Sequence, residues 1–212
     1  MTMNKKTVGN ALLITGCLLI LAGALWYAYN LNESNRAYEF GVVQVAKIKE
    51  QIAVRQNQQD ENVPEETVPA SGTVENEEVP AEELPVVYID NYPCCGYISI
   101  PAIELEMPVM DTADDYNLYY SVCRYEGTPY MQNLIIAGHN YRSVFQKLRD
   151  LKAGDEVFFT DMNGVVFRYV VLESVVIPGS GISEMEQGEW DLSLFTCTYG
   201  GADRYTVRCV EE

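Results

Sequence analysis

The sequence predicts a mainly β domain, a sandwich or a barrel, that is tied to a membrane through an N-terminal helix. Short runs rich in Val, Ile, Tyr, Phe and Thr follow one another after residue 86, separated by glycine, proline and asparagine turns, as in all-β folds. A strongly apolar run lies near the N-terminus. We therefore divide the 212 residues into four parts, 1–30, 31–56, 57–85 and 86–212.

The first part is predicted to be a membrane anchor. Lys5 and Lys6 precede an uncharged run whose centre, the 19 residues 11–29, is apolar and ends in aromatic residues. That length is about enough for a helix to cross a bilayer, and aromatic side chains suit its interface. Lysines before the run and Glu33 after it predict a cytoplasmic N-terminus and an external domain. A signal peptide cleaved at the small residues 22–24 is the alternative, but the apolar run continues past them.

Residues 31–56 are predicted to form an amphipathic helix. Val42, Val45, Ile48 and Ile52 recur at helical spacing, with charged residues between them. Such a helix can act as a stalk or a self-association face, or it can lie along the domain or the membrane. The sequence leaves these alternatives open.

Residues 57–85 are predicted to be an extended linker. Proline and glutamate dominate this part, which contains neither lysine nor arginine. Such a composition cannot bury enough apolar surface to fold, and like charges extend the chain. We expect this linker to let the folded domain reach away from the membrane anchor. The alternative is that it folds over the active site as a lid.

The folded domain is expected to begin near residue 86. Strands are predicted over residues 97–100 and 105–109, followed by a short helix over 114–120. A loop over 123–128 then precedes a buried strand, Leu134–Ala137.

A helix is predicted over residues 142–151, because four apolar residues share one of its faces. Strands over 156–160 and 165–176 flank an Asn-Gly pair at 163–164, the strongest short hairpin signal. The apolar face of the helix comprises Val144, Phe145, Leu148 and Leu151.

The last part of the chain contains the predicted catalytic hairpin. Residues 192–198 and 204–210 are β-prone and flank a glycine-rich turn. They follow a long loop, 177–190, and loops of that length are usually functional. Cys197 therefore ends one strand and Arg204 begins the next, and a neighbouring guanidinium favours the nucleophilic thiolate. The alternative is that Cys197 is a small buried core residue.

The only histidine, His139, follows the buried strand Leu134–Ala137 through one glycine. Its position at a strand end, where the chain turns outward, favours a functional role over a structural one. A cysteine with a histidine distant in sequence is typical of a thiol nucleophile and its base.

These residues resemble the motifs of the sortases, the Gram-positive cysteine transpeptidases. The family's Thr-Leu-x-Thr-Cys motif is matched by residues 193–197, with Ser193 in place of the first threonine, and Arg204 follows it. Residues 137–139, Ala-Gly-His, match the family histidine, and residues 96–101 match its opening Gly-x-Ile-x-Ile-Pro. The joint match, in the right order, is highly specific.

The resemblance covers about residues 97–210 and implies a closed eight-stranded sortase barrel with a few short helices. It implies that Cys197 attacks the Thr carbonyl of a Leu-Pro-x-Thr-Gly-like sorting signal on a surface protein. His139 would act as general acid and base, and Arg204 would hold the substrate backbone or the oxyanion. An amine of the cell-wall precursor, or a pilin lysine, would resolve the thioester. The supporting residues that it suggests are Thr196, Ser193 and Asn140.

Composition argues against other classes of protein. A formal charge of −17 would repel the phosphates of nucleic acid. The sequence has no Gly-rich phosphate loop, and one histidine excludes a His-rich zinc site. Some class A sortases use calcium, but the acidic residues here form no convincing calcium loop. We therefore expect no metal and no cofactor.

The remaining cysteines permit disulfides without specifying them. Cys17 lies in the membrane run, and an oxidising location would allow three pairings among the four others. A bond between adjacent cysteines would be strained. Four buried thiols are the alternative. These cysteines are Cys94, Cys95, Cys123 and Cys209.

Two other functions stay open. A thiol hydrolase would release the acyl product to water instead of an amine. A non-enzymatic surface protein would use the barrel for binding and carry an unreactive Cys197.

Overall fold

The computed structural model describes residues 5–60 and 83–212. Within these ranges the helices are α1 (Lys5–Asp60), α2 (Asp115–Tyr120) and α3 (Ile182–Glu186), with 3-10 turns at Pro101–Ile103, Pro129–Met131 and Gln146–Asp150. The strands are β1 (Val87–Ile89), β2 (Tyr92–Ile100), β3 (Leu105–Met110), β4 (Val122–Glu126), β5 (Leu134–Ala137), β6 (Glu156–Asp161), β7 (Val166–Pro178), β8 (Leu192–Cys197) and β9 (Asp203–Glu211).

The strands form a closed barrel, which confirms the predicted fold. Eight of them follow the order β2-β3-β4-β5-β8-β9-β7-β6, and β6 pairs back onto β2. β1 extends the sheet by pairing with the first residues of β2. The β3–β4 and β5–β8 pairs are parallel and the other pairs antiparallel. Closure removes the unpaired strand edges that an open sheet would expose.

Gly96 lies where the barrel closes. It pairs with Val109 of β3 and with Asp161 of β6, next to a register shift in β2. Its φ of +156° is one that side chains rarely adopt, and a Cβ there would lie 2.1 Å from the Thr160 carbonyl oxygen. The opening motif therefore begins with glycine because two backbones meet at this point.

Three predicted elements differ in the structure. The helix predicted over 142–151 was wrong: turns occupy its first half and a 3-10 helix spans Gln146–Asp150. Backbone bonds to the preceding loop replace helical ones there, since the Phe145 amide donates to the His139 carbonyl (3.2 Å). The loop predicted over 123–128 was also wrong, because most of it belongs to β4, which pairs with β3 and β5. The loop predicted over 177–190 contains α3.

The two helices predicted before the barrel are one continuous helix, α1. Residues 24–40 contain neither glycine nor proline, so no residue ends the helix between the apolar run and the part that follows. Among the described residues, α1 is the one helix long and apolar enough to cross a membrane, and none of its most apolar window is buried. α1 extends to Asp60, four residues into the predicted linker, and residues 61–82 of that linker lie outside the described ranges.

The second half of α1 packs on the barrel. Ile48 and Ile52 are buried in a cluster with Ile89, Cys94 and Met162. Burying one isoleucine side chain stabilises the fold by about 1.5–3 kcal/mol. Of the roles left open for residues 31–56, the structure therefore shows a helix that lies along the domain.

The apolar stripe on this half of α1 differs in part from the predicted one. Val42 is 51% exposed, while Ala37 and Gln44 are buried. Gly41 also faces the barrel, because a Cβ there would lie 2.7 Å from the Met107 sulfur. Glycine thus permits the close approach of helix and strand.

All six cysteines are free, and four of them are buried: Cys94, Cys95, Cys123 and Cys209. Burial raises the pKa of Cys94 and that of Cys209 to about 12. It also raises the pKa of Cys95 and that of Cys123. These four residues are buried thiols, which was one of the two alternatives, and they stay protonated at neutral pH.

Candidate active site

The barrel brings His139 and Cys197 to the same end of two neighbouring strands. β5 and β8 are parallel, and Ala137 pairs with Phe195. The pairing continues past β5, because the Gly138 amide donates to the Phe195 carbonyl (3.0 Å). His139 and Cys197 each follow this pair by two residues. Equal offsets on parallel strands place both residues at one end of the barrel.

Gly138, which precedes His139, is a glycine for a steric reason. A Cβ at Gly138 would lie 2.7 Å from the Phe145 ring and 2.9 Å from Val122. Phe145 itself is fully buried in the main core. The loop that carries His139 therefore lies close against the barrel, and only glycine at position 138 allows this close packing.

Arg204 lies directly opposite Cys197 in the β8–β9 hairpin, as expected from the glycine turn. Its Nη1 donates to the carbonyls of Gly201 (3.0 Å) and Asp203 (3.2 Å). These bonds fix the guanidinium against the turn. Within the described residues it forms no ion pair, neither with Asp203 nor with Glu126, and its other N–H groups donate to no acceptor. Directed donors are thus left for a bound substrate.

A cavity of about 300 Å³ joins these residues. His139, Cys197, Arg204 and Thr196 all line it. The rest of its wall is mostly apolar and includes Leu118, Tyr125, Pro178, Met185 and Phe195. The cavity can therefore hold an apolar side chain beside a thiol, an imidazole and a guanidinium.

His139 is held in its neutral form. Burial lowers its pKa from the usual value, and Arg36 of α1 lowers it further, while Asp115 and Glu33 act in the opposite direction. The Tyr141 ring lies 5.1 Å from the imidazole, centroid to centroid. A neutral imidazole at pH 7 can accept a proton, which is what a general base must do.

Arg149 lies beside the site, although no sequence motif indicated that it would. Its Nη2 donates to the Cys197 carbonyl (3.4 Å), and its guanidinium carbon lies 4.3 Å from the centre of the Tyr199 ring. The Gln146 amide also donates to the Tyr199 hydroxyl (3.1 Å). The 3-10 helix thus holds the chain immediately after Cys197. No sequence pattern pointed to this contact, because it joins residues about 50 positions apart.

The three supporting candidates occupy different places. Thr196 is buried and lines the cavity, Ser193 is buried without lining it, and Asn140 lines a second groove beside α1. Each has a buried side-chain oxygen with no hydrogen-bond partner among the described residues: Thr196 Oγ1, Ser193 Oγ and Asn140 Oδ1. Only Thr196 therefore shares the cavity with Cys197.

Some residues of the apolar cavity wall were also not predicted from the sequence. Phe195 could have been predicted from the sequence. Side chains alternate along a strand, so Phe195, two residues before Cys197, lies on the same face as Cys197. Tyr125 could not, because its segment was predicted to be a loop; in β4 its ring meets Phe195 edge-on at 5.3 Å between centroids. Met185 comes from α3, in a segment without a clear periodic pattern.

The acidic residues of the described ranges form no metal centre. No group of three or more His, Cys, Asp or Glu side chains there is arranged to hold an ion.

Comparison with known proteins gives one consistent family. The Sortase domain model matches residues 98–212. Sortase A of Bacillus anthracis is 27% identical over 135 residues, which cover 56% of this chain and 60% of that protein. The chain thus spans less than two thirds of this curated relative.

Solved structures show the same fold. Sortase C1 of Streptococcus agalactiae is 26% identical with a TM-score of 0.52, covering 58% of this chain and 70% of that one. Sortase A of Listeria monocytogenes is 20% identical with a TM-score of 0.51, covering 56% of this chain and 87% of that one. These two carry different class letters, so the likeness does not assign a class.

Proposed function

The chain belongs to the sortase family, and on this premise we propose that it is a membrane-anchored cysteine transpeptidase. It cleaves a Leu-Pro-x-Thr-Gly-like signal near the C-terminus of a surface protein and transfers the acyl group to an amine. The observation that carries the proposal is the shared cavity, in which Cys197, His139 and Arg204 meet an apolar wall.

In the first half of the reaction, the Cys197 sulfur attacks the threonine carbonyl carbon of the signal. Neutral His139 takes the thiol proton and returns it to the leaving amine, so a C–S bond replaces the C–N bond. Arg204 stands opposite the sulfur, and its unused N–H groups can stabilise the developing oxyanion.

In the second half, an amine attacks the thioester carbonyl. A new C–N bond forms, the C–S bond breaks, and the amine proton passes through His139 to the departing thiolate. Thr196 supports the cysteine from within the same cavity wall. The apolar wall retains the leucine and proline of the signal while the amine arrives.

α1 anchors this domain in the cell membrane. Its exposed apolar first half spans the bilayer, with Lys5 and Lys6 on the cytoplasmic side and the barrel outside. Protease added to intact, wall-stripped cells should then destroy the barrel. Full protection of the barrel would refute this orientation.

Mass spectrometry of the full-length protein tests the activity. Incubation with a panel of sorting-signal peptides should add one acyl group to Cys197, and added triglycine should then capture the acyl product. Capture by water alone would favour the thiol hydrolase. If no peptide forms an adduct and a thiol-reactive probe also fails to label Cys197, the binding barrel would be favoured instead.

A further inference from the structure

We propose that α1 positions the reacting groups of this site: Ser34 holds the loop that carries His139, and Arg36 holds α2. The inference rests on the proposed function and deepens it. Neither Ser34 nor Arg36 lines the cavity, so each acts through the element that it holds. Both lie within about two turns of residue 29, where the predicted membrane run ends. This part of α1 is distinct from the part around Ile48, which stabilises the barrel by apolar packing.

Three hydrogen bonds join Ser34 to Ser143, which lies 109 positions away in the sequence. The Ser34 hydroxyl donates to the Ser143 hydroxyl (3.0 Å) and accepts from the Ser143 amide (3.2 Å). The Ser143 hydroxyl in turn donates to the Ser34 carbonyl (2.6 Å). Ser34 is buried, and removing one partner of a buried pair leaves the other without a hydrogen bond. The contact therefore depends on a hydroxyl at both positions.

Ser143 belongs to the turns that directly follow His139. The far end of these turns is fixed, because the Phe145 ring is buried in the main core and the Phe145 amide donates to the His139 carbonyl (3.2 Å). The Tyr141 ring, between these two residues, lies 5.1 Å from the imidazole, centroid to centroid. Ser34 holds the same turns from outside the barrel. The position of the imidazole in the site therefore depends on α1.

Arg36 holds a different wall of the site. Its Nη2 donates to the Tyr119 carbonyl (2.9 Å) in the last turn of α2, and its guanidinium carbon lies 3.2 Å from the centre of the Tyr119 ring. Glu33, about one turn earlier on α1, is buried and pairs with the same guanidinium (2.6 Å). Leu118, the residue before Tyr119, lines the cavity. Arg36 therefore fixes part of the wall against which the peptide is proposed to bind.

One turn of α1 can reach both elements, because residues two positions apart project about 200° apart around a helix axis. The two contacts should affect different kinetic constants. The imidazole transfers protons, so moving it slows the reaction of bound peptide and lowers kcat. Moving α2 changes the wall that binds the peptide, so it raises KM. A displacement of about 1 Å can cost about 10²-fold in rate.

The test uses full-length protein in detergent micelles and a sorting-signal peptide that forms the thioester. kcat and KM are measured for release of the C-terminal part of the peptide, and each kcat is corrected for the folded fraction of the same variant. Burial lowers the pKa of His139, and the charge of Arg36 lowers it further. Rates are therefore compared at about pH 8, where the imidazole stays neutral whether or not Arg36 is present.

Ser34→Ala should lower kcat at least about tenfold and leave KM within about twofold, because it frees the loop of His139. Ser143→Ala should have the same effect, and the double variant should lose no more than either single variant, since all three lack the same contact. Ser34→Thr keeps a hydroxyl and should restore most of kcat. Asn35→Ala is the matched control: it changes the next, exposed residue of α1 and should leave kcat within about twofold.

Arg36→Met should raise KM at least about fivefold while kcat stays within about threefold, because it releases a binding wall and not a reacting group. It is combined with Glu33→Gln, so that no unpaired charge is left buried. Arg55→Met, about five turns further along the same helix, is the control and should leave KM within about twofold.

Hydrogen exchange supplies a readout that needs no substrate. The Phe145 amide should exchange faster in Ser34→Ala than in Asn35→Ala, because its bond to the His139 carbonyl opens more often. If the wild-type chain forms no thioester with any peptide, the proposed function is refuted, and this measurement alone then decides whether Ser34 holds the loop.

Four results would overturn the inference. kcat per folded molecule could stay unchanged in Ser34→Ala while the unfolding midpoint falls, which would make the contact merely structural. The losses of Ser34→Ala and Ser143→Ala could multiply in the double variant, which would show that the two residues act independently. KM could stay unchanged when Glu33 and Arg36 are replaced together. Exchange of the Phe145 amide could stay unchanged in Ser34→Ala.

Discussion

The end of the barrel that holds the candidate active site and the side covered by α1 use their side chains in opposite ways. At the first, Arg204 and Thr196 keep polar groups without partners in the described protein, beside an open cavity. On the covered side, Ile48 and Met162 are fully buried against apolar neighbours. If the proposed function is right, activity and stability depend on separate parts of the molecule, and substitutions should separate them.

The largest effect is expected from Cys197→Ala. The change removes only a sulfur from a partly exposed position, so peptide cleavage should fall to background while thermal unfolding in detergent micelles stays unchanged. Cys209→Ala is the matched control: its thiol is fully buried, so stability should fall while cleavage per folded molecule persists. Appreciable turnover by Cys197→Ala would remove that residue from the mechanism.

Arg204→Lys should give the next largest effect. Lysine keeps the charge but loses the planar set of donors. Losing one oxyanion donor typically costs ~10²–10³ in rate, and we expect a fall of that order in kcat for peptide cleavage. Arg168→Lys, in an exposed ion pair with Glu156, should leave the rate within about twofold. Near-normal cleavage by Arg204→Lys would mean that charge alone matters.

Ile48→Val tests the side of the barrel that is covered by α1. Removing one methylene from a fully buried position should destabilise the full-length protein by about 0.5–1.5 kcal/mol in urea unfolding. Cleavage per folded molecule should not change. Val43→Ala, at a half-exposed position of the same helix, should fall within about 0.5 kcal/mol of wild type. Equal losses at both positions would contradict the packing of α1 on the barrel.

The smallest effect concerns pH. Burial lowers the pKa of His139 in the folded state, so the unfolded chain binds its proton first as the pH falls. Stability should therefore decrease as the pH drops below about 6.5, the usual histidine value, towards the folded pKa. The charges of Asp115 and Glu33 oppose this lowering of the His139 pKa, and the charge of Arg36 adds to it.

His139→Gln should remove this part of the pH dependence. Unfolding midpoints at pH 7.5 and pH 5.5 provide the measurement, and His139 is the chain's only histidine. The wild-type midpoint should fall more between the two values than that of the variant. An equal fall in both proteins would show that His139 titrates alike in the folded and unfolded chains.

The sequence predicted most barrel strands because their alternation and turns are local signals. The 163–164 turn, for example, lies between β6 and β7 as expected. The strand order was implied only by resemblance, since the β5–β8 pair joins residues almost 60 positions apart. The predictions that failed also depended on tertiary contacts. β4 is a strand because it pairs with β3 on one side and β5 on the other. The turns after His139 are stabilised by the hydrogen bond from the Phe145 amide back to the His139 carbonyl.

The site was predictable to the extent that motif residues occupy strand ends. Cys197, His139 and Arg204 came from spacing and resemblance, and they line one cavity. Arg149 and Met185 reach the site through contacts that no periodicity encodes. Such neighbours become visible only when the chain is folded.

The parallel pairing of β5 and β8 limits how this barrel can evolve. Side chains alternate along a strand, so an insertion of one residue between Leu134 and His139 would send the imidazole to the opposite face. Two inserted residues would restore the face but push the histidine about 7 Å beyond the cysteine. Length changes should therefore be found in the connecting loops of related chains, where they leave both strand ends in place.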